Sequence, residues 1–476
     1  MSHLELAGLS AYPESRVDYA GSTYFMTRGE RMLGVIGESA GFEGTRHEAS
    51  GALLCPLTPT NAAALRRRLP WLNPVPLGLR TSAGFGDRLG LATPGHVLAV
   101  RGTGIAPVFA QQSVRENART HRTPQQVLDD AMWGVFQAGW REPWGADADH
   151  LKTPADAEAF AAAGYTFYTI DPGDHVDNAA DTDPAATLTA KVDTLPWDIL
   201  DSSAKDLEER YLKVLLRLGR FNLYFDRPVL LRAAAKYGRA VAHTVTMYRH
   251  LRTLMGRRPW ELEVSVDETA TPTTVQEHFY IANELRRLGV TWVSMAPRYV
   301  GRFEKGVDYI GSLAQFEAEF GRHVTIMHYF GGYKLSLHSG SDKFAVYDIA
   351  AKLTGGMVHL KTAGTSYLEA LRVLAAHEPQ LFREILALAR RRYDTDRATY
   401  HVSADLTKVP TPDALSDAQL PDLLDQFDAR QVLHVTFGSV LDRFGGQLKA
   451  ALRSHEDAYD EAIRKHFVRH LEPLMQ

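Results

Sequence analysis

The sequence predicts an α/β protein built on a (β/α)8 TIM-type barrel, with an N-terminal extension over residues 1–70, a catalytic barrel over 71–476 and a helical insertion at about 176–260. Three observations lead there. From about residue 75, short β-rich runs alternate with segments of helical period, the pattern of parallel strands joined by crossover helices. The composition, 45% hydrophobic and 23% charged over 476 residues, suits a large globular core with elaborations. Reactive polar residues stand at the ends of most of the strand candidates, where such a barrel keeps its chemistry.

Nine runs qualify as strands: Val75 to Phe85, Ile105 to Ser113, Trp144 to His150, Tyr165 to Asp171, Glu261 to Glu268, Val290 to Arg298, Lys334 to Gly340, Met357 to Thr362 and Thr399 to Asp405. A barrel needs eight, so one lies outside it or is not a strand. Between them, Pro154 to Gly164 reads as a helix: Thr153 caps it, Pro opens it and Gly closes it. Thr274 to Gly289 sets Val275, Phe279, Ala282, Leu285 and Leu288 on one stripe, as a helix lying on a sheet requires. The segment from Val176 to Trp260 is too long for a simple crossover and is expected to cover the barrel mouth, and a hairpin is expected around YFMTRGERMLGVIG in the extension.

A net charge of -4 without a long basic run gives no footprint for nucleic acid or an anionic membrane. The lone Cys55 permits no intramolecular disulfide, and no window is apolar enough for a membrane helix. The expectation is a cytoplasmic protein acting on a small molecule.

At the strand ends stand Gln111 and Gln112, Asp149 and His150, Asp171 with Asp174 and His175, Asp267 and Glu268, Arg298, His338, His359 with Lys361, and His401 with Asp405. Strand alternation refines this. In ELEVSVDE the apolar Leu262, Val264 and Val266 face the helices, which turns Glu263, Ser265 and Asp267 inward and leaves Glu268 at the rim. In MVHLKT the same logic turns His359 and Lys361 inward. A single His at a strand end is commonly structural. Imidazoles and carboxylates converging at one barrel end are what a divalent cation of the Mn, Co, Ni or Zn type uses.

The stretches GADADHLKT (Gly145 to Thr153), YTIDPGDHVDN (Tyr168 to Asn178) and KLSLHSGSDK (Lys334 to Lys343) resemble the tagaturonate epimerase family. That resemblance implies a metal-dependent interconversion of D-tagaturonate and D-fructuronate in hexuronate breakdown. More distantly, Asp149-His150 is similar to the Asp-His pair of class II aldolases, which implies His150 as metal ligand and Asp149 as proton handler. His338 with Ser339 to Ser341 looks like the ligand His and anion-holding loop of the same enzymes, although Asp342 and Lys343 replace part of the glycine-rich stretch. A weaker likeness to accessory subunits of tagatose-bisphosphate aldolases favours Glu268 as third ligand.

The two uronates differ at C4, whose hydrogen is not acidic. Inversion there requires either retro-aldol cleavage of the C3–C4 bond or transient oxidation by a nicotinamide. Oxidation wants a G-x-G-x-x-G turn, and the nearest stretch, GFGDRLG, misses the spacing, so no nicotinamide is expected. Cleavage wants a Lewis acid on the C2 oxygen and groups that take and return the C4 hydroxyl proton. His150, Glu268 and His338 are expected to supply the metal, Asp149 and Asp171 the proton handling, and Gln112, Arg298, Ser339, Ser341, Lys343, His359 and Lys361 the substrate contacts. His359, His175 and His401 stand as replacements for Glu268. A phosphosugar or ketose 4-epimerase, a class II-type aldolase and a non-catalytic accessory barrel remain alternatives.

Overall fold

The computed structural model describes every residue except 1–3, 7, 213, 220 and 476. Eight parallel strands close a barrel in chain order: β1 (Ser82–Phe85), β2 (Ala106–Ser113), β3 (Gly145–Leu151), β4 (Phe167–Ile170), β5 (Glu261–Val266), β6 (Ser294–Pro297), β7 (Lys334–Leu337) and β8 (Val358–Thr362). β8 returns to pair with β1, with His359 opposite Ser82 and Lys361 opposite Gly84. Eight of the nine strand candidates are these. The ninth, Thr399 to Asp405, is an extended loop between two 3-10 turns. Closure leaves no strand edge for it to join, and its amides bond side chains instead: Ser403 donates to Glu304 at 3.0 Å and Asp405 to Asp428 at 2.7 Å.

Each strand is followed by a crossover helix: α1 (Thr93–Val100), α2 (Pro124–Gln137), α3 (Pro154–Ala163), α4 (Arg227–Met255), α5 (Val275–Arg287), α6 (Leu313–Tyr329), α7 (Phe344–Thr354) and α8 (Thr365–His377). Their starts follow from local chemistry. Thr123, Thr153 and Thr274 each bond the backbone of the third helical residue, whose side chain reaches back, so α2, α3 and α5 open on capping boxes. α3 ends as expected at Gly164, which takes a φ of 106°.

The 176–260 segment contributes helices Ala185–Asp193 and Ala204–Tyr211, a two-stranded pair and α4 itself. α4 fills the crossover position beside α3 and α5. The residues before it are tied to the outer helices: Tyr211 donates to Glu284 of α5 at 2.9 Å, and Lys236 of α4 pairs with Asp181 at 2.9 Å and with Glu277 of α5 at 3.2 Å. The mouth cavity is walled by the loop after β6, residues 297–305, and by residues 399–403.

The N-terminal extension forms a five-stranded antiparallel sheet that includes the expected hairpin, Ser22–Met26 against Leu33–Ile36, and a helix, Pro59–Arg68, tied to α2 by Arg66–Asp129 at 2.6 Å. After α8, four further helices follow; the last, Glu456–Leu471, packs on both α1 and α8. Among the described residues, no helix is long and apolar enough to cross a membrane.

Candidate active site

The barrel interior is charged where a purely structural barrel would carry branched apolar side chains. Leu262, Val264 and Val266 of β5 face the helices, and Glu263 and Ser265 face inward, as strand alternation predicts. Lys361 of β8 also points inward and is the electrostatic centre. Its ammonium meets Asp147 at 2.8 Å, Asp149 at 2.7 Å and Glu263 at 2.8 Å, and donates to Thr169 at 2.7 Å. Burial alone would lower its pKa, but the three carboxylates hold it well above the usual lysine range. Burial and the neighbouring carboxylates Asp149 and Glu263, partly offset by Lys361, push Asp147 up to about 7.

Above this layer, two imidazoles converge. At the end of β3 the register shifts after Ala148 and His150 takes a φ of 55°. That left-handed residue breaks the strand alternation and lets both Asp149 and His150 turn toward the mouth, as a bulge can beside an active site. His150 Nδ1 lies 2.8 Å from Asp149, and its Nε2 lies 3.8 Å from Asp267 and 4.0 Å from Glu268. His338, just past β7, donates Nε2–H to Glu263 at 2.6 Å and turns Nδ1 toward Asp267 at 3.3 Å. One donor atom from each of His150, Asp267 and His338 lies within 4.8 Å of the others.

Burial would lower both imidazole pKa values. Asp149 instead raises His150 to about 10, and Asp267 raises His338 to about 9. Burial would raise the carboxylates, but His150 and Lys361 hold Asp149, and His338 holds Asp267, below the usual range. The protein thus gathers negative charge that protons balance and that a cation could balance in their place. Each imidazole is oriented from behind by a carboxylate, the arrangement that fixes metal-binding histidines.

The remaining expected site residues fall into two groups. Ser339 and Ser341 line the inner recess, of about 30 Å³, with Asp149, His150, Glu268, His338 and Lys361. Arg298 is on the wall of the outer cavity, of about 350 Å³. Glu268 belongs to both and pairs with Arg115 at 3.1 Å. The structure does not bring the other four to the cavity wall. Gln112 points away, with its Oε1 facing Arg122 at 3.4 Å; its neighbour Gln111 turns inward and donates to Asp149 at 3.0 Å. Asp171 accepts the Gly173 amide at 2.8 Å and acts on His150 through its charge. His359 is on the barrel floor, with Nδ1 at 2.8 Å from Ser82. The Lys343 ammonium is wholly buried and donates to the carbonyls of Glu304, Val307 and Ser341.

The sequence assigned no role to four participants, three of which it had placed at strand ends or facing inward. Asp267 and Glu263 carried a signal, since alternation had turned both inward. Gln111 carried a weaker one: it is the β2 residue that pairs with Asp147 of β3. Lys305 sits in an aperiodic loop and carried none. It lines both cavities and donates to Ser339 Oγ at 2.7 Å.

Comparison with known proteins shows the family. Residues 12–474 match the tagaturonate epimerase family. A tagaturonate/fructuronate epimerase of Thermotoga maritima is 43% identical, over 98% of this chain and 97% of its own length. Crystal structures of a fructuronate-tagaturonate epimerase from Cohnella laeviribosi, native and glycerol-complexed, share 37% identity with a TM-score of 0.93, covering 98% of this chain and 96% of theirs. With the same barrel over nearly its whole length, the chain belongs to the tagaturonate epimerase family.

Proposed function

We propose that the protein interconverts D-tagaturonate and D-fructuronate by breaking and re-forming the C3–C4 bond, with a divalent cation as cofactor. The observation that carries this reading is the convergence of His150, Asp267 and His338 on a recess that also holds two further carboxylates, Asp149 and Glu268. The substrate pair comes from the names of the similar epimerases.

Two imidazoles and a carboxylate, with the far ring nitrogens pinned by Asp149 and Glu263, fit a cation of the Mn, Co, Ni or Zn type. Of the two rim acids, Asp267 approaches the imidazoles more closely than Glu268, which supports Asp267 in place of Glu268 as the third ligand. A bound cation would supply positive charge at the C2 oxygen as the bond breaks.

The protein supplies the proton chemistry. Cleavage transfers the C4 hydroxyl proton to a carboxylate and leaves two three-carbon pieces, an enediolate and an aldehyde that carries the uronate carboxylate. When the aldehyde has turned its other face, C3 attacks it and the carboxylate returns the proton to the new alkoxide. Glu268 and Asp149 face the recess from different strands and serve the two faces. Asp149 accepts from His150, Lys361 and Gln111 and is held as a weakly basic anion. Glu268, whose nearest cationic partner among the described residues is Arg115, keeps more basicity than Asp149 and takes the larger share of proton transfer. Asp171 adds negative charge near His150, which favours a cation there.

The test is D-tagaturonate deuterated at C4, followed with no nicotinamide added. Fructuronate should form as fast from the deuterated as from the ordinary substrate, because the C4–H bond stays intact. Conversion slowed several-fold by deuterium, or dependent on added nicotinamide, would mean that hydride leaves C4.

A further inference from the structure

We infer that Lys305, with Ser339, is the receptor for the substrate's carboxylate and sets the preference for a uronate over an uncharged ketose; the inference rests on the functional reading above.

Of the two cations expected at the substrate, Arg298 and Lys343, the second is spent: three carbonyls take its three donors. Lys305 is not spent. It is partly buried, donates one hydrogen bond, to Ser339 Oγ at 2.7 Å, and forms no ion pair among the described residues. Withdrawing an ammonium from water without an anion is costly, and a ligand carboxylate would repay that cost with charge-assisted hydrogen bonds.

Its position fits the length of the substrate. Lys305 and Ser339 line both the inner recess and the outer cavity, so they stand at the passage between them. In a hexuronate the carboxylate is two bonds beyond C4. When C2 to C4 lie against His150 and His338, the carboxylate falls at that passage. Ser339 follows His338 directly and takes a left-handed φ of 48°, a strained backbone that a serine adopts only when its surroundings demand it. One turn of chain therefore fixes both an imidazole of the cation cluster and a hydroxyl of the anion receptor.

Arg298 borders only the outer cavity, and its guanidinium donates no hydrogen bond among the described residues. It is placed to attract anions into the mouth and not to hold the bound one. Arg115 is engaged by Glu268.

The experiment compares kcat/KM for D-tagaturonate with that for its uncharged C6-alcohol counterpart, D-tagatose, in the metal-loaded wild type, K305M, K305R and R298M, with thermal melts as a check on folding. K305M should lower the uronate-to-ketose ratio about a hundredfold, chiefly through KM for the uronate, in line with the loss of a charge-assisted contact. K305R should recover part of the ratio and R298M should change it less than K305M. For K305A, added methylammonium should restore uronate turnover and leave ketose turnover unchanged. An unchanged ratio in K305M, or an equal loss on both substrates, overturns the inference while the wild type still converts D-tagaturonate. A folded, metal-loaded wild type that ignores D-tagaturonate overturns the functional reading itself.

Discussion

Lys361 joins three carboxylates from two other strands on one ammonium, and all four groups are nearly or wholly buried. Removing one partner of a buried pair costs about 3–5 kcal/mol because the remaining charge is stranded, and Lys361→Met would strand Asp147 and take one of two cationic partners from Asp149 and from Glu263. We expect K361M to lose about 4 kcal/mol in denaturant unfolding and to lose activity. Asp147 is the carboxylate most ready to take up a proton, since burial and its acidic neighbours push it up to about 7. Neutralising it should therefore help: K361M/D147N should regain part of the stability, and no recovery would mean that Lys361 acts through packing instead of charge. The inward placement of Lys361, Glu263 and Asp267 was legible in the sequence because strands alternate. The partners of these side chains were not, because cross-barrel contacts join residues such as Lys361 and Asp149, 212 positions apart.

At the scale of elements, the strands and crossover helices were legible where period, cap and closing glycine agreed, as in α3 and α5. Two kinds of element were not. Thr399 to Asp405 alternates like a strand, yet its amides go to Glu304 and Asp428, and no local pattern reports a closed barrel. The loops that hold the substrate side of the site have no period at all. Lys305 lies in one of them, whereas Lys343, in a stretch that resembles an anion-binding loop, has its donors taken by backbone carbonyls. The adjacent pair Asp149-His150 turned out to face one way because His150 adopts a left-handed backbone, a feature that strand alternation argues against.

At the scale of the whole molecule, several histidines are buried neutral, and this sets the acid limit of stability. Burial lowers His96 and His323 to about 4, against about 6.5 in an unfolded chain. A depressed histidine pKa means that the unfolded state binds the proton first, so stability rises with pH across this interval. The contribution is complete above pH ~6.5 and is lost as pH falls through about 4, at about 3 kcal/mol for each group. Chelator-treated protein should accordingly lose melting temperature steeply from pH 6.5 to 4, and H96Q should flatten that slope. A flat profile over the interval would show that these imidazoles are hydrated or protonated in the fold.

The central claim is that the imidazole–carboxylate cluster at the mouth of the barrel works with a divalent cation on a keto-uronate. The most direct measurement strips the protein with a chelator, restores Mn²⁺, Co²⁺, Ni²⁺ or Zn²⁺ separately, and follows D-tagaturonate by ¹³C NMR without nicotinamide, alongside H150N, H338N and D267N. The account predicts D-fructuronate only in metal-restored wild type, with the variants folded, inactive and poor in bound metal. Full turnover by the stripped protein, or by variants that bind no metal, would contradict it.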